Sequence, residues 1–161
     1  MLSAAHTIIS LPFGFLFHNP LMSFFAAFLM HLVCDTLLHW NVYPHQYKHY
    51  PFILVGIDVA AGLIVTLALL GEDALTLPVI AAVAGGNMPD ILHAFWTFMG
   101  TTSKKRVPKW IHTLFHFHER IQRETESPLA GGISQVILCA IAILLTLTLK
   151  GISPGTEQFL P

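Results

Sequence analysis

The chain has 161 residues, of which 54% are hydrophobic and 11% charged, with a mean hydropathy of +0.65 and a formal net charge of −1. A soluble domain carries about a quarter charged residues, so the composition points to a membrane protein, and the near-neutral balance excludes a polycation seeking nucleic acid. Ten histidines outnumber the eight lysines and arginines, and that excess is the anomaly to explain.

Five apolar helices are expected in one membrane domain spanning 1–161, an all-α, polytopic architecture. The first, about 2–17, carries Pro12 and Gly14 and is short for a span. His18-Asn19-Pro20 makes a turn, with Pro20 suited to a helix start. The others cover about 21–40, 52–70, 78–98 and 129–149, each near the roughly 20 residues that a bilayer crossing needs. Between the last two, about 109–124 reads as an interfacial amphipathic helix. It has an apolar stripe of Trp110, Leu114, Phe117 and Ile121 and a polar one of His112, His116, Glu119 and Arg123. Pro89 removes a hydrogen bond to the Gly85 carbonyl, and the kink can open carbonyls and Asn87 toward a cavity; close packing of Gly85 and Gly86 is the plainer reading. Cys34 and Cys139 fall in different apolar runs and are expected to stay free.

Lys48 and the group Lys104, Lys105, Arg106, Lys109, Arg120 and Arg123 occupy two loops that five spans put on one side. The basic side should be cytoplasmic. The N-terminus is then inside and the C-terminus outside, in the plasma or inner membrane. Trp40, Trp96, Trp110, Tyr43, Tyr47 and Tyr50 gather near the same boundary, as interfacial aromatics do. The first basic residue is Lys48, so a cleaved signal peptide is not expected.

This topology brings polar residues to one depth. His6, His31, Asp35, His39, Asp58, Asn87, Asp90 and His93 all fall in the cytoplasmic halves of their segments, and His112, His116 and His118 follow in the interfacial helix. A carboxylate in lipid costs about 2.5–3.5 kcal/mol or more, so Asp35, Asp58 and Asp90 should face inward and find partners. Residues three or four apart share a helical face. His31 with Asp35, Asp35 with His39, and Asp90 with His93 are such pairs. His6, His31, Asp35, His39, Asp90 and His93 are therefore the expected ligands of a divalent transition metal, with zinc favoured by the nitrogen and oxygen mix. A metal-free polar core is the competing reading. The roles of His112 and His118 stay open.

The motifs resemble the membrane-bound, metal-dependent hydrolases of the LexA-regulated, YdjM type. "AH" supplies His6, "MPDILH" supplies Pro89, Asp90 and His93, and "MHLVCD" supplies His31 and Asp35. The order of the last two elements is inverted relative to that family, Leu92 stands in place of a second aspartate, and "HTLFHFHER" is only an analogue of the family's "HRGFTHS". Short membrane proteins with "HxxxDxxxHW", "ID", "PD" and "FHxxIQ" are more similar, and in that pattern Asp58 and Gln122 also find places. The resemblance implies a membrane-bound metal-dependent hydrolase, and with the topology above the leading reading is hydrolysis of a phosphoester or ester at the cytoplasmic interface, with membrane lipid as substrate class and a second copy of the chain as an open partner. Asp58 or His116 would act as general base or as hydrogen-bond partner of a ligand histidine, and Lys104, Lys105, Arg106 and Arg120 would attract phosphate. The rivals are a metal-ion or proton transporter, a haem- or metal-binding subunit without catalysis, and a scaffold.

Overall fold

A 14-residue helix with buried residues on every side stands at the middle of the molecule. The computed structural model describes residues 1–41 and 51–152. The helices are α1 (Ser3–Leu16), α2 (Pro20–Asp35), α3 (Pro51–Leu70), α4 (Leu77–Phe98), α5 (Thr101–Lys104), α6 (Lys109–Ile121) and α7 (Pro128–Ile152), with a 3-10 turn at Gly71–Leu75 between α3 and α4. No β-strand occurs among the described residues; one isolated bridge pairs His39 with Glu124. The expected Lys48 and tyrosines 43, 47 and 50 lie outside the described residues.

The central helix is α1, which packs on α2, α3, α4 and α7. Its encirclement explains its sequence. A helix covered by neighbours needs neither the length of a bilayer nor an all-apolar surface, and its buried Thr7 and Ser10 are satisfied inside the bundle. Thr7 accepts from Asn87 Nδ2 at 3.0 Å, and Ser10 donates to the His6 carbonyl at 2.6 Å. Its N-cap residue is Leu2, which has no capping side chain. Asp58 of α3 fills that role from outside, accepting from the Ser3 and Ala4 amides at 2.7 and 3.2 Å. A carboxylate at that position neutralises two of the helix's unpaired N–H groups and meets the positive end of its dipole.

Helices occur at all five expected positions, but among the described residues two rather than about five are long and apolar enough to cross a membrane: Ile53–Leu75 and Pro128–Gly151, with mean hydropathies of 2.5 and 2.3. α1 and α2 are shorter apolar helices. α2 ends at Asp35 instead of running on to residue 40. Thr36 closes it, its hydroxyl donating to the Val33 carbonyl at 2.7 Å, and the Leu37 amide donates to Cys34 at 3.0 Å.

α4 meets α2 and α1 through glycine. A Cβ on Gly85 would strike the Phe24 backbone, and one on Gly86 would strike Ser10, so the small-residue reading of this stretch holds. Pro89 nevertheless sits inside α4, and three residues before it the Gly86 carbonyl is engaged by a side chain of another helix, described below. Cys34 and Cys139 are both free.

Candidate metal centre

Asp35 is the focus of the site. Its carboxylate is fully buried at the end of α2, one helical turn from His31, with α4 and α6 closing over it. His31 Nε2 lies 3.1 Å from Asp35 Oδ2 and 3.5 Å from Asp90 Oδ1. His118 Nε2, arriving from α6, lies 3.3 Å from the same Asp35 oxygen, 3.3 Å from His31 Nε2 and 3.9 Å from Asp90 Oδ1. One ligand atom from each of His31, Asp35, Asp90 and His118 lies within 4.8 Å of all the others.

The tautomer of His31 is fixed by its surroundings. Its Nδ1 donates to the Gly86 carbonyl at 2.7 Å, so in the neutral ring Nε2 carries only a lone pair. That lone pair faces carboxylate oxygens, and such a convergence is repulsive unless a cation, either a proton or a metal ion, sits among them. Tetrahedral zinc with ligands at about 2.0–2.1 Å holds those ligands about 3.3 Å apart. Most of the separations cluster near that value. The group could therefore hold a metal ion without rearrangement of its helices. Gln122 adds a donor to the rim, with Nε2 3.4 Å from Asp35 Oδ2.

The other expected ligands fall around this core in different ways. His6 is buried and stacks on His31 with ring centroids 3.8 Å apart, its Nε2 3.2 Å from Asp35 Oδ1. His39 lies beyond the end of α2 and therefore does not share a helical face with Asp35, but the chain returns it to the site. Its Nδ1 donates to the Leu37 carbonyl at 2.8 Å, leaving Nε2 3.9 Å from Asp35 Oδ1. Burial holds its pKa below the usual histidine value. Residues 39 and 123–125 are tied by backbone hydrogen bonds from His39 to Arg123 at 3.0 Å and from Thr125 to His39 at 2.9 Å. From α7, Gln135 anchors the same loop through the Trp40 carbonyl at 2.9 Å.

His93 shares a face with Asp90 but stands aside from the four-residue group. Its ring meets His118 edge-on at 5.4 Å, and its Nε2 points to Glu119 at 3.8 Å. Asp58, expected as a base, has its oxygens on the α1 amides. His116 is exposed and pairs with Glu119 at 3.1 Å on the outer surface of α6. Lys105, Arg106 and Arg120 are exposed and none borders the cavity described next. His112 reaches the Lys104 carbonyl at 2.9 Å and lies edge-on against Trp96, which is itself buried and stacked on Phe115 at 4.6 Å.

The residue missed by the sequence reading is His118. The inward face of α6 is Ile111, Phe115, His118 and Gln122, while Trp110, Leu114 and Phe117 of the expected apolar stripe are exposed. The spacing of His118 to Gln122, four residues, was the available signal.

A cavity of about 750 Å³ opens beside the centre. Asp90, His93, Gln122 and Glu124 border it, as do Asp58 and Asn87, and Val55, Val59, Leu63, Val83, Ile91 and Ala94 of α3 and α4 supply apolar lining. No protein-family model matches the chain, and no curated protein or solved structure shows significant similarity to it.

Proposed function

We propose that the chain is a membrane-embedded, metal-dependent hydrolase that cleaves a phosphoester or ester of a lipid at the cytoplasmic interface, with zinc as its metal. The observation that carries this reading is the four-residue group of His31, Asp35, Asp90 and His118, which shares Asp90 with a cavity lined largely by apolar side chains. A divalent ion there would supply Lewis acidity and a water of lowered pKa. The chain's own residues do the rest. Asp90 both belongs to the group and borders the cavity, so a head group entering the cavity meets it directly. Val59, Leu63 and Ile91 suit an acyl chain lying along α3 and α4. Gln122, with its amide within 3.4 Å of Asp35, can hold that carboxylate in a fixed rotamer. His93 borders the cavity and has an unpartnered, buried Nδ1 available for proton transfer, whereas His116 is exposed and Asp58, which also borders the cavity, has its oxygens on the α1 amides.

The membrane location draws support from the two long apolar helices and from their sparse cover, since only 17% of each apolar window is buried. Such exposure on a soluble protein would be a large unpartnered patch. The α5–α6 region, with its lysines and arginines, lies at the same end as the centre, which favours a cytoplasmic site by the positive-inside rule. The test is hydrolysis of phospholipid by zinc-loaded protein reconstituted in vesicles. The expected result is product release that is lost in His118→Ala and kept in His116→Ala. Equal activity in the two variants, or none in the native chain with zinc bound, would overturn the reading.

A further inference from the structure

Each of the two central carboxylates shows one oxygen to His31 and the other to His6. Asp35 Oδ2 is 3.1 Å from His31 Nε2 and Oδ1 is 3.2 Å from His6 Nε2; Asp90 Oδ1 is 3.5 Å from His31 Nε2 and Oδ2 is 3.8 Å from His6 Nε2. The imidazoles are stacked at 3.8 Å with their planes 22° apart, so their Nε2 atoms face parallel positions on either side of the carboxylates. Two of the ring nitrogens there have no hydrogen-bond partner although fully buried: His6 Nε2 and His39 Nε2. His6 is 1% and His39 0% exposed. Both aim at Asp35 Oδ1, the oxygen that the four-residue group leaves unused. An unsatisfied buried nitrogen is destabilising, and two converging on one oxygen call for a shared occupant.

We propose a second metal position, held by His6, His39, Asp35 Oδ1 and Asp90 Oδ2, with Glu124 at its edge and with Asp35 and Asp90 bridging to the first ion. This rests on the metal-centre reading above and extends it to a carboxylate-bridged pair. The spacing agrees: paired ions in hydrolytic sites stand about 3.5–4 Å apart, as do the stacked rings. Glu124 Oε1 is 3.9 Å from His39 Nε2 and borders the cavity, so the second position faces incoming substrate. A pair suits a phosphoester particularly, because two ions can stabilise both the attacking and the leaving oxygen. The rival occupant is the Met1 nitrogen, 3.2 Å from Asp35 Oδ1, which as an ammonium would neutralise that oxygen without a metal.

The experiment is zinc analysis of the full chain after loading and exhaustive dialysis, on the native protein, His6→Gln and His118→Gln. Circular dichroism and gel filtration confirm that each is folded. The expected result is about two zinc ions per chain in the native protein and about one in each variant. As a second measurement, Mn(II)-loaded native protein should give an exchange-coupled EPR spectrum, and His6→Gln an isolated-ion spectrum. One zinc per chain in the native protein, unchanged in His6→Gln and lost in His118→Gln, overturns the second position and leaves the first standing. No zinc in the native protein overturns both. Two zincs retained in His6→Gln put the second ion elsewhere and overturn the assignment.

Discussion

The two ends of the helical bundle handle their charges differently. At the far end, Lys150 bridges to Asp73 at 2.8 Å and donates to the Leu70 carbonyl at 2.9 Å, over an apolar cluster of Leu11, Leu70, Ala74 and Val79. Among the described residues no buried side-chain polar atom there lacks a partner, and both charged side chains keep some access to solvent. At the near end, Asp35 is enclosed among histidines, and three buried ring nitrogens, of His6, His39 and His93, are left without a hydrogen bond. A bundle that can satisfy its polar atoms so fully at one end has no physical need to strand them at the other. The difference makes the near end, where His31, Asp35, Asp90 and His118 could hold a metal ion, the candidate site.

The strongest way to break this contrast is Asp35→Asn. It removes the charge on which His6, His31, His39 and His118 converge, and truncating a buried ionic network costs about 3–5 kcal/mol. Thermal unfolding should fall steeply, and added zinc should no longer raise the midpoint. A variant that keeps the zinc-dependent shift would make Asp35 a structural acceptor only.

Asp58→Ala sharpens the contrast by separating support from chemistry. If its carboxylate only caps α1, stability drops by about 0.5–2 kcal/mol while zinc content stays at the native level. Unchanged stability together with lost hydrolysis would return Asp58 to the role of base.

Lys150→Met should have the smallest effect. Its partner is partly exposed, and exposed pairs contribute about 0–1 kcal/mol. Zinc content should not move, and a variant that loses metal would show that the two ends are coupled through α7.

What the sequence made readable here follows from the range of each interaction. His31 and Asp35 were recognisable because the helical period alone puts them on one face. Asp90 was recognisable because a carboxylate in an apolar helix demands a partner. His118 was hidden because its role depends on how α6 is rotated about its own axis. Trp110, Leu114 and Phe117 form as good an apolar stripe as Ile111 and Phe115, and only packing against α2 and α4 chooses between them. Asp58 had the right composition for a catalytic base, but its partners are amides 55 and 54 positions away. The early end of α2 was missed because "DTLLHW" continues the apolar pattern, and the turn is set by a threonine hydroxyl rather than by glycine or proline. The helix positions themselves were legible throughout. Their use as spans was less so, because a helix surrounded by protein and one surrounded by lipid can share a composition.

The clustering of residues from distant parts of the chain also sets the order of its assembly. His31 and His118 stand 87 positions apart, and α6 follows α4 in the chain. While the first four helices are being made, Asp35 and Asp90 have no His118 to complete their set. The ligand group therefore exists only after α6 has folded back, and closing so long a loop costs entropy. An ion bound by that group would act as a latch on the finished arrangement, its binding energy added to folding, and a chain stopped before residue 118 would lack one of the four ligands.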